Sequence, residues 1–303
     1  MRTHMEAVLR TEQLSKTFGK IKAVQQLDLE ISAGQVFGIL GPNGSGKTTT
    51  LGMILGVVKP TSGSYNWFGK GDSHHLRKRI GAILEHPVFY PFLSAVENLR
   101  ISAHIKDVAN PDFDGLLQMV GLYDRRNDAF KTYSLGMKQR LAIATALVSD
   151  PEVLIFDEPT NGLDPQGIAD IRQLILDIAG MGKTIVLASH LLDEVQKVCT
   201  DFAVLRTGEK IFQGSVDHVL NQKQRIEVYA EDHERLLQEL ENDNRVLRLE
   251  KQNGVFVIEV SDDLTTGILN KAMFERGLLL SHLATVRSNL EETFLEILRE
   301  DAR

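Results

Sequence analysis

One eight-residue stretch limits what this chain can fold into more than any other feature. Gly41-Pro-Asn-Gly-Ser-Gly-Lys-Thr48 fits the pattern G-x-x-x-x-G-K-[ST]. It follows the apolar run Val36–Leu40 and precedes a stretch of helical character, so strand, loop and helix come in the order the pattern needs. Glycines let the backbone turn with several N–H groups pointing inward, and the helix that follows adds its positive end. Such a nest suits phosphate oxygens. Gly41, Pro42, Asn43, Gly44, Ser45, Gly46, Lys47, Thr48 and Thr49 are therefore candidate nucleotide-binding residues. Lys47 is expected to hold the β- and γ-phosphates as a point charge, and Thr48 to place its hydroxyl on Mg²⁺. The alternative is a glycine-rich turn that binds nothing. The loop alone does not separate a transporter from a kinase, a GTPase or a repair enzyme.

A second segment supplies carboxylates. Val153-Leu-Ile-Phe-Asp157-Glu158 is an apolar strand ending in two acids, directly followed by Pro159-Thr-Asn-Gly-Leu-Asp164. Asp157 is expected to hold Mg²⁺, as a Walker B acid does, and Glu158 to orient or deprotonate an attacking water. Acids also collect at strand ends simply because water reaches them, so the pair gains its meaning from the phosphate loop.

The rest of the chain reads as two domains, residues 1–220 and 221–303, in a protein of 303 residues. Hydrophobic residues are 43% and charged residues 25%, the balance of a globular protein rather than a disordered one. The single Cys199 rules out a disulfide within one molecule. No apolar run approaches the roughly 18 residues needed to span a bilayer, and the charged N-terminus shows no secretory leader; a reduced, cytosolic setting is expected. Of the net charge of −7, residues 1–220 carry −1 and residues 221–303 carry −6. An acidic tail is poorly suited to phosphate backbones, so no nucleic-acid partner is expected.

Val36–Leu40, Val153–Phe156 and Thr184–Ala188 are short apolar runs, each followed by turn residues and a stretch of 3.6 periodicity. That is the pattern of a parallel sheet covered by helices. Ala7–Thr11 and Leu27–Ile31 alternate instead, as in a small antiparallel β subdomain. Residues 94–149 carry almost no strand signal and read as a helical insert, with Asn110-Pro111 capping one helix and Gly121 ending it. In the tail, strands are expected at Arg225–Ala230, Val246–Glu250, Val255–Val260 and Leu278–Val286. Helices are expected at His233–Leu240 and Leu264–Phe274, a hairpin turn at Asn253-Gly254, and a last amphipathic helix over Leu290–Leu298. The order β-α-β-β-α-β is that of a split βαβ, ferredoxin-like domain.

Six motifs in order now carry a resemblance: Phe18, the loop at Gly41–Thr49, the segment at Glu85, Tyr133–Gln139, Asp157–Glu158 with Asp164, and Ser189-His190. Over about residues 5–220 the chain resembles the ATP-binding subunit of an ATP-binding-cassette (ABC) transporter. The resemblance implies a P-loop NTPase cassette with ATP and Mg²⁺ as cofactors. It implies that Phe18 stacks on adenine; the alternative is a Phe that merely packs in the small sheet. It implies that His190 reaches the γ-phosphate. Tyr133-Ser-Leu-Gly-Met-Lys-Gln139 resembles the signature motif, in which Ser134 and Gly136 would meet the γ-phosphate held by a second cassette. A dimer, homomeric or with a related chain, is thus implied.

Two departures stand out. Leu135 and Met137 replace the usual Gly and Gln, which is tolerable only where φ > 0 is not needed. Glu85 stands where the family has Gln; it is a candidate Mg²⁺ contact and tuner of hydrolysis, or a residue turned toward a membrane partner. Together these segments are similar to the exporter branch that includes bacitracin-resistance and lantibiotic-immunity ATPases. The aromatic cluster Val88–Leu93 is either the docking site of a permease or core of the insert. The tail resembles the C-terminal extension of many such exporter ATPases, with a regulatory or dimer-supporting role expected.

The function implied is ATP hydrolysis that powers export through separate integral membrane permease subunits, from the inner face of the cell membrane. The alternatives are an importer ATPase, or a soluble ABC ATPase acting on nucleic acid or ribosomes. Only 84 residues separate Thr48 from Tyr133, too few for the coiled coils of repair ATPases, and the chain has one cassette and an acidic tail.

Overall fold

A strand that is apolar on both faces must be covered on both faces. Val36–Leu40, Val153–Asp157 and Thr184–Ser189 are buried at every position, and they lie side by side and parallel in the middle of a six-stranded sheet. The structure is a computed structural model and describes residues 6–71, 73–84, 88–221, 224–252, 254–261, 263–286, 290–291 and 294. The chain divides into two compact units, Met1–Gly214 and Ser215–Arg303.

In chain order the first unit holds β1 (Ala7–Phe18), β2 (Ile21–Leu27), β3 (Glu30–Ser32), β4 (Val36–Leu40), α1 (Lys47–Ile54), β5 (Ser62–Trp67), α2 (His74–Arg77), β6 (Ile80–Ile83), α3 (Ala95–Ile105), α4 (Phe113–Met119) and α5 (Leu135–Leu147). There follow β7 (Val153–Asp157), α6 (Pro165–Gly180), β8 (Thr184–Ser189), α7 (Leu192–Val198), β9 (Asp201–Arg206) and β10 (Glu209–Ser215). The large sheet runs β10-β9-β4-β8-β7-β6, and a smaller antiparallel sheet is built on β1 with β2, β3 and β5. The register of the parallel strands sets the site: Leu40 lies opposite Ser189, and Asp157 opposite Ala188. The carboxyl ends of β4, β7 and β8 are thus level, which is where ligands bind in open α/β sheets.

Two expectations are corrected here. Leu27–Ile31 is not one strand; β2 ends at Leu27 and β3 starts at Glu30, because Thr11 Oγ1 accepts from Leu29 N–H and donates to Leu27 C=O, pinning a bend between them. The helix in the insert is capped by Asp112 rather than Asn110-Pro111: Asp112 Oδ1 accepts from Gly115 N–H at 2.9 Å. Gly121, at φ +66, follows its end as read from sequence. The insert is otherwise helical, and α5 is a buried helix, with Leu141, Ile143, Ala144 and Leu147 among its core residues.

The amphipathic helix α6 begins at a strong start signal. Asp164 Oδ1 accepts from Gly167 N–H at 2.8 Å, and Pro165 follows at the first helical position. Asp164→Ala should lower unfolding stability by about 1 kcal/mol, read as a lower chemical-denaturation midpoint at unchanged slope; an unmoved midpoint would show that the cap contributes nothing.

The second unit holds α8 (Val216–Asn221), β11 (Gln224–Tyr229), α9 (His233–Glu241), β12 (Val246–Gln252), β13 (Val255–Val260), α10 (Thr266–Glu275) and β14 (His282–Val286). The sheet order is β12-β13-β11-β14 with every neighbouring pair antiparallel, which is the split βαβ arrangement. Alternate residues Ile226 and Val228 of β11, and Phe256, Ile258 and Val260 of β13, enter one core with Leu236 and Leu240 of α9 and Leu269 and Met273 of α10. The last strand is shorter than expected and starts at His282 rather than Leu278. The amphipathic helix expected at Leu290–Leu298 lies mostly outside the described residues; Leu290, Glu291 and Phe294 are helical.

Candidate functional site

The loop after β4 turns as its composition requires. Gly44 and Gly46 have φ of +81° and +104°, and a Cβ at Gly46 would stand 2.5 Å from Ala23 C=O. A Cβ at Gly41 would stand 2.4 Å from Leu205 C=O, so both ends of the loop accept only glycine without movement. Lys47 opens α1 and is buried; its Nζ donates to Gly41 C=O at 2.7 Å. Ser45 Oγ is buried with no hydrogen-bond partner among the described residues, a polar group placed in a loop built for anions. Pro42, Asn43, Gly44 and Thr48 are exposed, and Thr49 is half-buried.

Level strand ends bring the next two residues to the same place. Lys47 Nζ lies 3.3 Å from Glu158 Oε1, and Glu158 Oε2 lies 2.7 Å from His190 Nδ1. Glu158 has φ +49°, the left-handed region that a non-glycine residue enters at a cost of about 1–2 kcal/mol. Its N–H donates to Ala188 C=O at 2.9 Å, which ties the turn to β8. Asp157, at the end of β7, is almost wholly buried. Its carboxylate and the Thr48 hydroxyl are hard oxygen donors of the kind Mg²⁺ takes. Glu85, the remaining metal candidate, lies outside the described residues.

Phe18 ends β1 and is 48% exposed, with Lys16 Nζ 4.8 Å from its ring centroid. It is therefore not core of the small sheet; its ring is open to a stacking partner. Ser134 caps α5, its Oγ accepting from Met137 N–H at 3.3 Å. Leu135 and Gly136 are the first residues of that helix, and neither has positive φ. The replacement of Gly by Leu at 135 thus meets no backbone penalty. Ser134 and Leu135 are exposed and Gly136 is half-buried.

The aromatic cluster is split. Phe89 packs against Phe130 with ring centroids 4.9 Å apart, whereas Val88, Tyr90 and Phe92 are 92%, 61% and 76% exposed. Val88, Phe89 and Tyr90 line a groove together with Ile83, Leu84, Ile101 and Ile105. Glu194, which the sequence reading did not single out, is a buried carboxylate on α7 bonded to Ser189. Nothing in its spacing marks it; only the packing of α7 on the sheet does.

A family model described as "ABC transporter" matches residues 24–161. The chain is 36% identical over 308 residues to the bacitracin transport ATP-binding protein BcrA of Bacillus licheniformis, covering 97% of this chain and 98% of that protein. The chain belongs to the ABC transporter ATP-binding family. The match to BcrA runs through the second unit of this cassette protein as well as the first. A lantibiotic transport ATP-binding protein, SrtF of Streptococcus pyogenes, is 37% identical over 210 residues, 69% of this chain and 92% of that protein. Among solved structures the cassette is similar to a dimeric post-hydrolysis state of the ATP-binding cassette MJ0796 bound to ADP and Pi, with TM-score 0.61, 28% identity and cover of 69% of this chain and 98% of that one. As a member of this family the chain is an ATPase that binds adenine nucleotide through its P-loop cassette. Among the described residues no helix is long and apolar enough to cross a membrane.

Proposed function

We propose that this cassette is the motor subunit of an exporter, working as one of two ATP-binding chains on separate membrane permease subunits at the cytoplasmic face. The observation that carries the catalytic part is the Lys47–Glu158–His190 cluster at the carboxyl ends of β4, β7 and β8. Lys47 and the loop N–H groups bind and orient the terminal phosphates. Glu158 holds or takes the proton of the attacking water, and His190, paired to it through Nδ1, keeps that carboxylate aimed. Thr48 and Asp157 would hold Mg²⁺, which when bound neutralises charge on the transferring phosphoryl group. Phe18 is open to stack on the adenine.

The dimer reading is supported by the exposed start of α5. A helix N-terminus capped by Ser134 and left uncovered is suited to an anion, here the γ-phosphate of the other chain, and the similar MJ0796 cassette is a dimer in its ADP and Pi state. Closure around the shared phosphate then transmits the chemistry to the permease. The exporter direction is supported by the kinship with BcrA, which extends over nearly the full length of both chains. The permease reading is supported by the apolar groove lined in part by the exposed Val88 and Tyr90, and by the exposed Phe92 two residues on.

The test is transport. Co-expressed with its membrane subunit in inverted vesicles, the chain should drive ATP-dependent uptake of cargo into the vesicle lumen. The double substitution Tyr90→Ser and Phe92→Ser should reduce that uptake at least tenfold, a loss of about 1.4 kcal/mol or more at the interface, while the variant still binds ATP. Uptake in the opposite orientation only would make the protein an importer. Uptake unchanged by the double substitution would remove the permease from this groove.

A further inference from the structure

The turn from β8 into α7 is held by a carboxylate that the scheme above does not use. Ser189, fully buried at the end of β8, makes two hydrogen bonds through one hydroxyl. Its Oγ donates to Glu194 Oε2 at 3.0 Å and accepts from Leu191 N–H at 3.0 Å. These anchors stand on either side of His190 in the chain. His190 itself is exposed, and among the described residues the side-chain bond it makes is to Glu158 Oε2 at 2.7 Å. The ring is thus oriented by that bond and by the backbone that carries it.

Glu194 is an expensive way to fill its site. It is only 4% exposed, and its second oxygen, Oε1, is buried with no hydrogen-bond partner among the described residues. A half-satisfied carboxylate in a core costs stability that an apolar residue of the same volume would not. What the carboxylate adds is a strong, charged acceptor for the Ser189 hydroxyl, which fixes the rotor that in turn takes the Leu191 N–H. The chain of contact runs from Glu194 through Ser189 to the two peptide units around His190, and from His190 to Glu158.

We propose that Glu194 and Ser189 are a positioning pair that holds His190 against Glu158. This inference rests on the role proposed above for His190. It gives α7 a task beyond covering the sheet: a shift of the helix by the length of one hydrogen bond would release the histidine.

The experiment is steady-state ATP hydrolysis by the full chain, with ATP affinity measured alongside by calorimetry. Ser189→Ala should lower kcat about tenfold and leave ATP affinity within about twofold of the parent. Glu194→Leu should show the same loss, and Glu194→Gln should retain most of the activity, because its amide oxygen still accepts from Ser189. In a His190→Ala background, Ser189→Ala should cost nothing further, since the two act as one unit. The tenfold factor recurring in that background would overturn the proposal, as would full activity of Ser189→Ala beside a slow His190→Ala. Full activity of His190→Ala would instead remove the role of His190 itself, and the pair with it. Should Ser189→Ala fail to fold, the contrast between Glu194→Gln and Glu194→Leu, in both backgrounds, decides the same question.

Discussion

Glu158→Gln should bind ATP as the parent does and hydrolyse it at least a hundredfold more slowly. The amide fills the same space and still accepts a hydrogen bond, but it cannot take a proton from water. General-base catalysis is worth about 10²–10⁴ in rate, and a hundredfold is about 2.7 kcal/mol of barrier. The substitution also removes the negative charge that faces Lys47 at 3.3 Å, so affinity for the polyanionic nucleotide should hold or rise. Because closure needs ATP and reopening needs hydrolysis, the variant should accumulate as an ATP-bound dimer on a sizing column, where the parent runs as a monomer after turnover. Steady hydrolysis by Glu158→Gln would assign the base elsewhere in the site.

Lys47→Ala should lose nucleotide affinity by about a hundredfold, close to 2.7 kcal/mol, measured by calorimetry on the full chain. The ammonium is buried and donates to Gly41 C=O, so its removal takes a charge-assisted donor from the phosphates and a brace from the loop. It also leaves Glu158 with His190 as its remaining described side-chain partner, which raises the local cost of bringing in a triphosphate. The two variants are distinguishable: one binds and stalls, the other scarcely binds. Unchanged affinity in Lys47→Ala would contradict the assignment of the loop.

Much of the architecture was legible because it is written in short-range patterns. The three continuous apolar runs became the buried parallel strands β4, β7 and β8, and the strands expected at residues 225–230 and 255–260 became β11 and β13 with one face inside. Capping chemistry was legible at Gly121, and misplaced at Asn110-Pro111, where Asp112 two residues on had the side chain that reaches the helix amide. Leu27–Ile31 failed because its bend depends on Thr11, a residue sixteen to eighteen positions away. A local pattern carries no trace of such a partner. The aromatic cluster failed to resolve for the same reason: Phe89 and Phe92 are alike in sequence, and only the presence of Phe130 beside Phe89 leaves it half-buried while Phe92 stays exposed.

The sequence by itself determined the phosphate loop, the acidic strand end, the parallel-sheet character of the body and the order of elements along the tail, since each rests on residue types within a few positions of one another. Only the tertiary structure decided that Lys47, Glu158 and His190 touch, that Leu135 sits in a conformation open to any residue, and that Glu194 reaches Ser189. The physical reason is register. Parallel strands paired Leu40 to Ser189 and Asp157 to Ala188 end at one level, and the groups just beyond those ends meet however far apart they lie along the chain.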